Sequence, residues 1–154
     1  MGRRLAGHTV GRSASLKRIV LAIVAAIAVW VLAASLLNRG LRGVLSDYAE
    51  AERDLTFTLA MMAARLTVGA LATLLAGVAA GLIDRPAGRA AWIFAVILLA
   101  AFIPSHVALW NVLPVWYHLT FLLSLVPLTL VGSMLVRRRA PRESESADTG
   151  RAAR

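Results

Sequence analysis

The sequence predicts an all-α membrane protein, a polytopic bundle of four transmembrane helices with both termini in the cytoplasm (N-in/C-in). Three observations carry this expectation. Of 154 residues, 59% are hydrophobic and only 16% are charged, whereas a soluble domain has about 45–50% apolar and about 25% charged residues. Four apolar runs of membrane-spanning length follow one another, joined by short polar segments. The basic residues gather at the ends of those runs, the placement that sets membrane topology. Together they exclude a soluble enzyme and a disordered chain, and divide the sequence into a basic arm (1–18), a transmembrane domain (19–136) and a basic tail (137–154).

Residues 1–18 are polar, glycine-bearing and basic, with five Lys/Arg and no acid; they read as a flexible cytoplasmic arm. The first span runs from Ile19 to Leu37 without a charge, about 28 Å of helix against a hydrocarbon core of roughly 30 Å. Lys17 and Arg18 anchor one end, Asn38 and Arg39 the other. The alternative, a cleaved signal peptide ending near Ala33-Ala34-Ser35, suits a shorter apolar core and a chain without further spans. Residues 38–54 form the only sizeable loop, where Gly40 and Gly43 are expected to break the helix. Ser46-Asp47 before Tyr48 and Glu50 resembles a helix start, so a short amphipathic stretch is expected there.

The second span lies near 58–83 and contains one charge, Arg65. Gly69, Thr73, Gly77 and Gly81 recur every fourth residue, giving this helix a small face. Such faces let backbones approach closely in lipid, where no hydrophobic effect drives helices together. The face reads either as a seam between chains or as packing within the bundle, against Ala22, Ala25 and Ala26 of the first span. A tight turn, Asp84–Arg89, leads to the third span (90–110), where Pro104 is expected to kink or end the helix. Asn111–Pro114 is a short connection to the fourth span (115–136), which carries Pro127 midway. Arg137-Arg138-Arg139 stops it, and the polar tail beyond reads as disordered.

Charge sets the expected orientation. The arm, the Asp84–Arg89 turn and the Arg137–Arg139 cluster fall on one face, cytoplasmic by the positive-inside rule. The 38–54 loop, with three Arg and four acids, and the uncharged Asn111–Pro114 turn fall on the other. Trp110, Trp116 and Tyr117 then sit at the outer interface and Trp92 at the inner one, as an aromatic belt. The net charge of +9 is therefore topology information, and no nucleic-acid partner is expected.

No catalytic residues and no metal site are expected. The chain has no cysteine, which removes disulfides, thiolate metal sites and cysteine nucleophiles. No span holds Asp or Glu, so the buried acid of ion-coupled transporters is missing. What remains is an outer-rim polar group: Arg65 on the second span, His106 on the third and His118 on the fourth. Two histidines on facing helices could ligate haem iron or a metal, or could each bond a backbone carbonyl near a proline. Arg65 is either a snorkelling anchor or a contact for an anion, a lipid headgroup or a quinone-like carbonyl.

The stretches "GALATLLAGVAAGLIDRP" (69–86) and "HVALWNVLPVWYHLTFLLSLVPL" (106–128) lie within a region, 65–132, that resembles small, uncharacterised four-helix inner-membrane proteins of bacteria. The resemblance covers a little under half of the chain. It implies a multi-pass protein of the bacterial cytoplasmic membrane and says nothing of activity. The leading expectation is a structural, assembly or accessory partner acting through helix packing, with membrane lipid and another membrane protein or a second copy as partners and no cofactor. The alternative is a small-molecule handler, either a transporter-like subunit or a quinone or haem binder using the two histidines.

Overall fold

A computed structural model describes residues 6–84 and 88–137, with side chains from Ser15 to Asp84 and from Gly88 to Val136. The expectations for residues 1–5, for the 85–87 part of the turn and for the tail from 138 onward lie outside the described residues. Among those described there are five helices and no strand: α1 (Ala6–Val44), α2 (Tyr48–Asp54), α3 (Leu59–Ile83), α4 (Arg89–Ala108) and α5 (Val115–Arg137). Four of them, α1, α3, α4 and α5, are long and apolar enough to cross a membrane. This is the build of a multi-pass membrane protein. The outward faces agree with it: Leu36 and Leu123 are about 70% exposed, with many Val, Ile and Leu beside them. On a water-soluble monomer so much contiguous apolar surface is rare.

Two boundaries differ from the sequence expectation. Residues 6–18, read as an arm, continue α1 as helix, and α1 runs unbroken through Gly40 and Gly43 to Val44. A helix-interior glycine costs about 1 kcal/mol relative to alanine. Here Asn38 and Arg42, one turn apart on α1, both reach Glu52 of α2, which ties that last stretch to a neighbouring element. α4 passes through Pro104 and ends one turn later at Ala108. The connection to α5 is closed by successive turns, with Trp110 N–H donating to the Val107 carbonyl and Val112 N–H to that of Leu109.

Capping explains the other ends. Thr58 Oγ accepts from the Met61 N–H at 3.3 Å and starts α3. Asp84, buried at the end of α3, turns its carboxylate to the Ala90 N–H at 3.0 Å and so caps α4. Gly88 precedes α4 with φ 62°, in the left-handed region that glycine adopts without strain.

Around the bundle the order is α1, α3, α5, α4, so that α3 and α4 are joined by the short turn yet stand across a diagonal. The closest pair is α3 with α5. A methyl group added at Gly77 would run into the Thr129 backbone, one at Gly81 would lie 2.7 Å from the Ser133 carbonyl oxygen, and one at Gly69 would lie 2.7 Å from the Phe121 ring. The register is constant, so the two helices run parallel. Gly132 returns the fit by leaving space for the α3 backbone near Leu74 and Gly77. The small face of α3 is thus filled within the chain. Its other edge meets α1, with Ala26, Ala76 and Ala80 in one core cluster with Phe94 and Leu125 and the Trp30 indole N–H donating to Thr73 Oγ at 3.2 Å.

Candidate functional site: an aromatic cavity below α2

All four long helices contribute to one cavity at the end of the bundle that carries α2. Its volume is about 350 Å³, within the roughly 300–1,000 Å³ usual for small-molecule sites. Trp30 (α1), Val68 (α3), Phe102 (α4), Leu109 just beyond α4 and Phe121 (α5) form apolar walls. Phe102 joins three of those helices, with its ring 5.1 Å from Trp30 and 5.0 Å from Phe121. Ser35, Asn38, Arg65, Ser105, His106 and Tyr117 supply polar atoms.

At the mouth, Arg65 belongs to an ion-pair network that α2 completes. Glu52 sits between two guanidinium groups: Arg65 Nη1 donates to Oε1 at 3.0 Å, and Arg42 approaches Oε2 at 2.7 Å. Asn38 also donates to Glu52 Oε1 at 3.2 Å. The Tyr48 hydroxyl, fully buried, donates to Asn38 Oδ1 and accepts from Arg65. The Arg65 guanidinium lies 4.7 Å above the Phe57 ring, a cation–π geometry. Burial opposes ionisation of Glu52, yet hydrogen bonds from Asn38 and Arg42 and the charges of Arg42 and Arg65 outweigh it. They hold its carboxyl below the usual 4.5. Burial pushes the Tyr48 phenol above 10.0, with the Arg65 charge opposing.

His106 lines the cavity wall, and His118 contacts it from behind. Their Nδ1 atoms face each other at 2.8 Å, and His118 Nε2 lies 3.2 Å from the Leu113 carbonyl oxygen. His118 is fully buried and stacked against Trp110, with ring centroids 5.0 Å apart. His106 stacks on Phe121 at 4.8 Å. A metal held between the two Nδ1 atoms would need about 2 Å to each nitrogen, hence a wider gap than this hydrogen bond. Among the described residues no three His, Cys, Asp or Glu side chains stand together as a metal set.

No family model, no curated protein and no solved structure matches this chain. The site must therefore be read from its own atoms.

Of the three residues singled out in the sequence, His106 and His118 are in direct contact, and Arg65 and His106 line the same cavity. Arg65 does not bond either histidine; its partners are Glu52 and Tyr48. Those two, with Asn38, were not identified from the sequence. Tyr48, Ala51, Glu52 and Leu55 share one helical face by their spacing, and an arginine near a membrane boundary calls for an acid. The two signals combined narrow the choice without singling out Glu52 among the four acids of 38–54.

Proposed function

We propose that this chain is a multi-pass protein of the bacterial cytoplasmic membrane, N-in/C-in, that binds a small, largely apolar molecule in the cavity below α2. It handles that molecule without catalytic machinery of its own. The observation that carries the reading is the aromatic-walled cavity of about 350 Å³ with its few convergent polar groups, the usual make-up of a small-molecule site. For scale, an apolar cavity of roughly 150 Å³ is large enough for benzene. The competing reading, a partner acting through helix packing, rested on the absence of an acid from the spans, with the Gly69–Gly81 face as one possible seam between chains. That face is occupied by α5 and α1, which favours the cavity. The basic ends of the helices support the orientation, with α2 and the cavity mouth on the outer side.

The test is uptake of naphthalene by the protein in lipid nanodiscs. Ala34 lines the cavity, so Ala34→Phe fills it, while Leu123→Phe enlarges an outward face that is 71% exposed. Wild type and Leu123→Phe should take up one equivalent more than Ala34→Phe. Equal uptake by all three overturns the proposal.

A further inference from the structure

Resting on that reading of the cavity, we propose that its ligand is a neutral aromatic hydroxyl compound, of the phenol or hydroquinone class, whose O–H donates to Nε2 of His106. The hydrogen bonds of the histidine pair lead to this. A carbonyl oxygen only accepts, so the contact with Leu113 places a proton on Nε2 of His118. Neither ring is ion-paired among the described residues, and an unpaired buried charge is costly. For two neutral imidazoles one arrangement remains. His118 Nδ1 is bare, and His106 Nδ1 carries the proton it donates at 2.8 Å. Nε2 of His106 is then a bare lone pair.

That nitrogen has no hydrogen-bond partner among the described residues, and none of their buried side-chain nitrogens or oxygens is left unpartnered. Nε2 is therefore reachable, and the cavity is what His106 lines. A lone pair there selects a donor. The walls select a ring, because Phe102, Phe121 and Trp30 offer faces and edges for aromatic packing. The mouth selects against an anion, because the Arg65 charge is already paired with Glu52 at 3.0 Å. His118 touches no ligand in this scheme. It is a positioning residue that fixes which nitrogen of His106 is bare.

Three probes separate this inference from the cavity reading: 2-naphthol, its methyl ether and naphthalene, each measured in nanodiscs against the Ala34→Phe control. 2-Naphthol should bind about tenfold more tightly than the ether, which cannot donate and leaves the lone pair unpaired. His118→Phe removes the acceptor for His106 Nδ1–H and should abolish the preference, while His118→Asn keeps an acceptor near the Nδ1 position and should retain it. In the untouched protein, ¹⁵N spectra should show His106 protonated at Nδ1 and His118 at Nε2. If none of the probes binds above the control, the cavity reading fails. If all three bind equally, or the preference survives His106→Phe, or the spectra show the opposite tautomers, the cavity reading stands and this inference is overturned.

Discussion

Gly77 accepts no side chain because the Thr129 backbone occupies the place where a Cβ would project. Both partners at that contact are main chain, so relief requires separating two whole helices. Gly77→Ala should therefore lower unfolding free energy by about 1–3 kcal/mol, the usual cost of overpacking. Leu75→Ile, on a neighbouring side chain that is 47% exposed, should stay within about 0.5 kcal/mol. Unfolding by titrated denaturing detergent in bicelles measures both, and equal stability of the two variants would mean that α3 and α5 stand further apart than described. The glycine row was legible in the sequence because size alternates with a period of four. Its main partner was not. Phe121, Leu125, Thr129 and Ser133 share that period, but they differ in size and polarity and leave no pattern. Thr129 and Ser133 are tolerated there because each hydroxyl bonds a carbonyl of its own helix, Leu125 and Leu130 respectively, at 2.8 Å.

At the scale of elements, α2 matters out of proportion to its seven residues. It is too short to be stable alone and is held through Tyr48, Ala51 and Glu52. The folded carboxyl of Glu52 titrates below its ordinary 4.5. Its contribution to stability is thus fully present above 4.5 and is lost as pH falls through the lower folded value. Wild type should be more stable than Glu52→Gln at neutral pH, and the gap should close as the solution is acidified below 4.5. Thermal unfolding of the two proteins side by side gives that difference directly, and a gap that stays constant to pH 3 would remove Glu52 from the hold on α2. The four long helices could be read from hydropathy because each repeats one signal over about twenty residues. α2 could be suspected from its start but not docked, since four acids lie within 38–54 and seven residues hold too little periodicity to choose among them. The same shortage of signal hid the continuation of α1 past two glycines.

For the whole molecule, the expected orientation puts the α2 end outside. A reporter fused after Ser46 should read as periplasmic and one after Arg137 as cytoplasmic; the reverse at either point would sink the N-in/C-in proposal. The arrangement of helices within the bundle was beyond the sequence, because apolar periodicity says which face is buried and not which neighbour buries it. That arrangement sets an order of events during synthesis. α3 and α4 leave the ribosome in succession, yet the close partner of α3 is α5, made after both. Until Arg137 has been added, roughly 3–10 s after Ile83 at about 5–20 residues per second, the groove of Gly77 and Gly81 has no α5 to fill it. For that interval the growing chain presents an open seam to lipid and to any other nascent helix nearby, and fidelity of assembly rests on how quickly α5 arrives.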